Sequence, residues 1–290
     1  MGTNNPDLLR ADRKSDVINV CLIGAGRRAE ILAKALPPNA KIISVCAKTM
    51  ESAQTLAVKF DAKAVSYDDV MNDYNAKVAI VAVPFSEHDR ILLDCAQCYK
   101  HVFIEKPGPT SSYHANYLRK LFLKNGLVAR VGYSWLDEAW TDVLPKLDFT
   151  NIDIRWQKDF GDLDPALNLA VHPIAWLLSR AGKEKIKDVK INMVANRILT
   201  CSIEWENRQT AFIRLTSYDG IREREIDLQM KEGSIVIQDD GTSLSNIPGQ
   251  MTSAEKQIRQ FIVDVQKGKL KGLRDLKFSS RVLDVIGRTT

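Results

Sequence analysis

The sequence predicts an α/β chain in two parts. A doubly wound parallel sheet is expected over residues 16–135, and an α+β open-sheet domain over residues 136–290. Three observations carry this. Apolar runs alternate with amphipathic helical stretches through the first half, the rhythm of a parallel sheet covered on both faces. From about residue 189 the pattern changes to successive strand-like runs. Alternation is clearest in Ala211-Phe212-Ile213-Arg214-Leu215, which suits a sheet with one wet or partner-facing side. Finally, the opening strand runs directly into Gly24-Ala25-Gly26-Arg27-Arg28-Ala29 and then into a helical pattern.

Residues 17–23 read as a buried strand. A helix over 28–36 follows and is stopped by Pro37-Pro38. Residues 41–46 form the second strand, and Thr49 is the N-cap of a helix over 51–60. A short strand is expected at 64–65 and a brief helix at 68–72. The strand over 78–83 is closed by Pro84, and Ser86 caps the next helix, which carries His88, Ile91, Leu92 and Ala96. A strand at 102–104, a helix at 111–125 ended by Gly126 and a strand at 128–131 complete the first half. The second half begins with a helix over 137–147, a strand over 151–157 and a helix over 166–180 with Gly182 near its end. Strands follow at 189–194, 199–205, 210–217, 222–229 and 234–237, with Asp219-Gly220 and Asp240-Gly241 as turn signals. Helices over 254–267 and 278–286 close the chain, and the last is expected to pack back on the first domain.

Composition narrows the function classes. With 290 residues the chain is long enough for two domains, and its 45% hydrophobic content can bury a proper core. The first fifteen residues are polar and lack the apolar region of a secretory signal. No apolar run reaches a membrane span, so no membrane partner is expected. The net charge of +5 arises from 41 basic and 36 acidic residues. The basic stretches at 183–190 and 267–277 read as solvated faces, not as a nucleic-acid groove. Five cysteines, an odd number with Cys21 and Cys46 in buried strands, imply a reducing, cytoplasmic setting. Cys95-x-x-Cys98 lies in a helical pattern without a second pair and reads as ordinary helix. No metal-binding motif is present.

The Gly-rich turn is the chemical footprint of a dinucleotide pyrophosphate site, and the first domain is therefore of Rossmann type. Gly24 permits the sharp strand-to-helix turn, Gly26 lets backbone approach the phosphates, and Ala29 lets the helix pack close. The helix N-terminus offers unpaired N–H groups to an anion. In an NAD site an acid ends the second strand and binds the ribose 2′-hydroxyl. Here that position is Ala47, followed by Lys48 and Thr49. A cation and a hydroxyl stand where a 2′-phosphate would sit, with Arg27 or Arg28 as a second cation, so NADP is expected rather than NAD.

Residues 101–107 read His-Val-Phe-Ile-Glu-Lys-Pro, and Val83-Pro84-x-x-x-His88 precedes them. With the Gly-rich turn, a later His-bearing helix and an open sheet, this resembles the glucose–fructose oxidoreductase, inositol dehydrogenase and rhizopine-catabolism (Gfo/Idh/MocA) family over nearly the whole chain. The resemblance implies that Val83, Pro84, His88, Glu105 and Lys106 line the cofactor, and that the peptide before Pro107 is cis. It also implies that Lys106 acts on the reacting oxygen. Independently of the family, Lys106 stands at the carboxyl end of a parallel strand, where ligands bind, and Pro107 restricts its backbone.

Residues 164–173 read Asp-Pro-Ala-Leu-Asn-Leu-Ala-Val-His-Pro. Asn168 and His172 share a helix face, and Asp164 stands a turn earlier. The family pairs an aspartate with a histidine four residues on. In one register His172 is that histidine and Asn168 replaces the acid; in the other, Asp164 and Asn168 match the Asp-Pro-x-x-Asn pattern of sugar 1-dehydrogenases. The first is favoured by the following Pro-Ile-Ala-Trp-Leu-Leu. Asn168 cannot accept a proton, so His172 would be the titratable member. Tyr133, Trp156, Lys158 and Asp159 are further candidates for the cleft, Trp176 reads as core, and His88 and His101 as structural or cofactor-edge residues.

The expected function is an NADP-dependent dehydrogenase or reductase acting on a small polar molecule, a sugar, cyclitol or keto-sugar. An imine or tetrapyrrole-like reductase and a non-catalytic NADP-binding sensor are the alternatives. A homodimer or homotetramer through the C-terminal sheet is what the resemblance implies.

Overall fold

The computed structural model describes residues 17–138, 141, 149–160, 164–195, 197–218, 222–239, 250–272 and 274–288. Strands β1 (Ile18–Ile23), β2 (Ala40–Cys46), β3 (Lys63–Ala64), β4 (Val78–Val81), β5 (His101–Glu105) and β6 (Ala129–Gly132) form one sheet in the order β3-β2-β1-β4-β5-β6. Every pairing in it is parallel. The strand order reverses between β1 and β4, and a crevice opens there beyond the strands' carboxyl ends. Val20, Cys21, Leu22 and Ile23 are all buried, as are all four residues of β4, because helices cover both faces.

The covering helices are α1 (Arg27–Lys34), α2 (Met50–Val58), α3 (Tyr67–Asn72), α4 (His88–Gln97) and α5 (Ser112–Lys124). Thr49 caps α2 as expected, accepting from the Ser52 amide. Ser86 does not cap α4. Pro84 leads into a 3₁₀ turn, Phe85–Glu87, and the Phe85 carbonyl accepts the His88 amide, so backbone replaces the side-chain cap.

The second sheet contains β7 (Phe149–Gln157), β8 (Ile186–Val194), β9 (Ile198–Trp205), β10 (Thr210–Thr216), β11 (Glu223–Met230) and β12 (Gly233–Asp239), in the order β12-β11-β7-β10-β9-β8. All its pairings are antiparallel except β7 with β10. Ile152, Ile154 and Trp156 on β7 and Arg224, Ile226 and Leu228 on β11 point to the buried face. The other face carries Asp153, Arg155 and Glu225, tied by ion pairs. The β11–β12 connection is Lys231-Glu232 followed by Gly233 at φ +146°. Asp219-Gly220 and Asp240-Gly241 lie outside the described residues, as does most of the helix expected over 137–147, whose start is a 3₁₀ turn, Ser134–Asp137.

The helix expected over 166–180 has two parts. Ala166–Ala170 is a π turn, and α6 (Val171–Ala181) continues it. The chain then returns through α7 (Ser253–Gln266) and α8 (Leu276–Ile286). Ile258, Phe261 and Ile262 of α7 join the core that holds Val20, Leu22, Ile80 and Phe103. Arg130 at β6 pairs with Asp264 at 2.8 Å, both side chains at most 5% exposed. Asn116 of α5 donates to Ser280 of α8 at 2.8 Å. The five cysteines are free. No helix among the described residues is long and apolar enough to cross a membrane.

Candidate active site

The crevice begins at the Gly-rich turn. Gly24 has φ +115°, and a Cβ there would stand 2.2 Å from the Ala82 carbonyl oxygen. Only glycine fits. Gly26 is different: nothing lies within 4 Å of the Cβ it lacks, so the space beside the turn is open. Gly26 is also the N-cap of α1 and supplies no side chain to the first-turn amides. These donors, together with the cradle a Cβ would fill, fit a dinucleotide pyrophosphate. Ala25 is half-buried beside them, and Ala47, Lys48 and Thr49 follow β2 on the adjacent rim, with Lys48 exposed. The Thr49 hydroxyl is occupied by Ser52.

The two arginines after the turn diverge. Arg27 is exposed. Arg28 reaches across the sheet's carboxyl edge, and its Nε donates to Glu105 Oε1 at 2.8 Å. Arg28 is thus turned toward β5 and away from the ribose rim expected for it. Burial pushes the Glu105 carboxyl up, and Arg28 holds it against that rise.

Lys106 follows Glu105, and the Lys106–Pro107 peptide is cis. Its Nζ donates to the Asn168 carbonyl at 2.7 Å and to Asn168 Oδ1 at 2.6 Å. The π turn presents that carbonyl. Pro173, five residues on, has no N–H with which to close a π-type bond to Asn168, and the lysine donates instead. An ammonium has three donors, so one N–H of Lys106 remains for a ligand. Burial lowers the Lys106 pKa to about 8, with Lys158 and Arg28 adding to the fall and Glu105 opposing it.

His172 lies on the same helix. Its Nδ1 is 3.4 Å from Ser134 Oγ, and its ring stacks on Trp135 with centroids 6.5 Å apart. Trp156 meets it edge-on at 6.4 Å. Burial, then Lys106, Lys158, Arg28 and Arg224, hold His172 well below the usual imidazole range, so the ring is neutral. Behind Trp135, Arg224 stacks at 4.7 Å and pairs with buried Glu138 at 2.8 Å. Asp164 is exposed, and its Oδ1 accepts the Ala166 amide at 2.8 Å. It caps the helix, while Asn168 is the residue brought to Lys106.

The remaining candidates are shared out between support and cleft. His88 is buried, with Nδ1 2.8 Å from the Gly108 carbonyl and Nε2 3.2 Å from that of Val83. Burial lowers its pKa, so the neutral ring has one N–H, which the shorter contact takes. His88 thereby ties the segment after Val83 and Pro84 to the loop after Lys106. Tyr133 does not reach the cleft. It is fully buried, and its hydroxyl donates to the Pro107 carbonyl at 3.1 Å beside Ser279. Trp176 is core, and His101 accepts the Val128 amide. Ser134 and Trp135 are the site groups that sequence reasoning missed, as is the pairing of Arg28 with Glu105. The signal available for the first two was their place directly after β6, at the carboxyl edge where ligands bind. Among the described residues no group of three metal-ligating side chains converges.

A parallel sheet with this turn at its switch point is a dinucleotide-binding fold. Residues 18–133 match the family described as "Oxidoreductase family, NAD-binding Rossmann fold", GFO_IDH_MocA. That segment thus matches the family that the sequence resembles, the Gfo/Idh/MocA oxidoreductases. No curated protein matches the chain in sequence. Solved structures share the whole two-part architecture at low identity. UDP-N-acetylglucosamine 3-dehydrogenase GnnA from Acidithiobacillus ferrooxidans is 16% identical with a TM-score of 0.84, covering 94% of this chain and 96% of that one. GenD2 from gentamicin A biosynthesis, in complex with NAD, is 15% identical with a TM-score of 0.82, covering 97% and 95%. KijD10, a 3-ketoreductase from Actinomadura kijaniata in complex with NADP, is 14% identical with a TM-score of 0.79, covering 94% and 97%.

Proposed function

We propose that this protein is an NADP-dependent dehydrogenase or reductase of a sugar, cyclitol or keto-sugar. The observation that carries the reading is Lys106, anchored by both oxygens of Asn168 with one donor left over, at the carboxyl edge of a nucleotide-binding sheet. The bound nicotinamide ring would supply or accept the hydride. Gly24, Gly26 and the α1 amides hold the pyrophosphate, and Lys48 attracts the 2′-phosphate. The free N–H of Lys106 donates to the reacting oxygen and stabilises negative charge as it grows. With a pKa of about 8, Lys106 is also matched to giving or taking the proton near neutral pH. His172 is held neutral, and its role is to hydrogen-bond and orient a substrate hydroxyl while Lys106 moves the proton. Asn168 fixes the lysine, and Glu105 with Arg28 fixes the strand end from which it projects.

The polar character of this cleft favours a polyhydroxylated ligand over a flat conjugated one, since Trp135 and Trp156 are buried and serve as backing. The retained lysine favours catalysis over sensing. Phe212 and Val236, exposed on the open face of the second sheet, support its use in a homo-oligomer, which light scattering at micromolar concentration tests. For the activity, calorimetry with NADPH and NADH, followed by absorbance assays over aldoses, keto-sugars, cyclitols and cyclic imines, is the deciding experiment. Tight NADPH binding with turnover of a polyol or keto-sugar is expected. Failure to bind either nucleotide overturns the reading.

A further inference from the structure

Beyond the reacting centre, the second sheet brings two further cations to the cleft. Trp156 and Arg224 are register partners on β7 and β11 and both point to the buried face. Side chains alternate along a strand, so the next residues on that face, one step past the paired register, are Lys158 and Arg222. They flank the last paired register, Gln157 with Glu223, each just beyond its strand end, Lys158 half-buried and Arg222 exposed. Like charges brought together repel, and here they are kept. Arg222 acts on Lys158 strongly enough to lower its pKa, with burial the larger cause and Asp159 the opposing acid.

The other cations near His172 are spoken for: Arg28 holds Glu105 and Arg224 holds Glu138. Among the described residues no carboxylate lies within ion-pair distance of Lys106, Lys158 or Arg222. A buried polar group on the neighbouring register position is also unpartnered. The indole N–H of Trp156, a residue only 6% exposed, has no acceptor among the described residues, and Lys158 Nζ lies 5.6 Å from that ring. Two neighbouring cations with no carboxylate partner, beside a buried ring whose N–H has no acceptor, describe a place for an acceptor-rich anion.

We propose that the substrate carries an anionic group, a phosphate or a carboxylate, that docks between Lys158 and Arg222 while its reacting carbon faces Lys106 and His172. This rests on the oxidoreductase reading and narrows it to acidic substrates, either phosphate esters and nucleotide-linked sugars or sugar acids.

The test uses the NADPH-loaded protein and tryptophan fluorescence. Glucose 6-phosphate and glucuronate are the anionic probes, and glucose is the neutral control. At least one anionic probe should bind roughly tenfold or more tighter than glucose, the size of one charge-assisted hydrogen bond. The phosphate and carboxylate arms separate the two sources of charge. Lys158→Gln and Arg222→Gln should each remove most of that preference, Lys158→Arg should keep it, and the NADPH affinity of all three should stay within about twofold of the parent. Equal binding of charged and neutral probes with NADPH binding intact overturns this inference alone. So does a Lys158→Gln variant that loses NADPH instead, which would give the cations to the cofactor's phosphates. A parent protein that binds no nicotinamide nucleotide overturns the oxidoreductase reading, and this inference with it.

Discussion

Replacing Asn168 with aspartate tests the centre of the proposed chemistry. The change is nearly isosteric, and it puts a carboxylate oxygen where Oδ1 now lies 2.6 Å from Lys106 Nζ. Lys106 now titrates at about 8, because burial and neighbouring cations disfavour its charge. An adjacent opposite charge raises a lysine pKa by about 1–3 units, or roughly 1.4–4 kcal/mol in favour of the ammonium. The variant's lysine should therefore titrate between about 9 and 11. The sign has a kinetic consequence. Reduction, which needs the protonated lysine, falls above pH 8 in the parent and should persist to higher pH in Asn168→Asp. Oxidation, which needs the free amine, should be slowed at neutral pH. Lysine-selective NMR, with the Lys106 signal assigned from its loss in Lys106→Met, follows the titration without any substrate. A midpoint that stays near 8 refutes the electrostatic argument, and a parent pH–rate limb well below the usual imidazole range, in place of the one near 8, would return proton transfer to His172.

Other outcomes follow from the same geometry. Gly24→Ala should cost at least about 1–3 kcal/mol from its backbone conformation alone, with the Ala82 carbonyl in the way besides, and abolish nucleotide binding; thermal unfolding and calorimetry read both. Lys48→Glu should weaken NADPH relative to NADH by about tenfold or more, since a carboxylate repels the 2′-phosphate. An unchanged affinity ratio would remove Lys48 from the reading. Asp264→Asn leaves Arg130 buried without its counter-charge and should cost about 3–5 kcal/mol in denaturant unfolding, although the residue is far from the crevice.

The first sheet was readable because its code is local. Apolar runs of strand length, Gly24 and Gly26 between strand and helix, and the Thr49 cap each report short-range physics, and each element appears where expected. The reading failed where geometry depends on distant partners. Arg28 looked like a ribose-rim cation because it follows the turn, but Glu105, seventy-seven positions away, captures it. Tyr133 stands at a ligand-facing strand end, yet its hydroxyl satisfies the Pro107 carbonyl from inside the core. Ser86 has the chemistry of a cap, but Pro84 had already set a 3₁₀ entry that needs none. The π turn at Ala166–Ala170 has no periodicity of its own in five residues, and only Pro173 hinted that a nearby carbonyl would be left for another donor.

The return of α7 and α8 has a consequence for how this chain is made. Ile258, Phe261 and Asp264 leave the ribosome long after Val20, Phe103 and Arg130, yet they finish the same core. The nucleotide-binding half therefore emerges with one wall missing and cannot settle first, as an autonomous N-terminal unit would during synthesis. Its apolar flank waits, in need of protection, until nearly the whole polypeptide has been released, and the long sequence separation of those contacts slows the final closure. A protein joined in this way melts as one body, and a shortened gene would yield a sticky remnant with no working nucleotide binder in it.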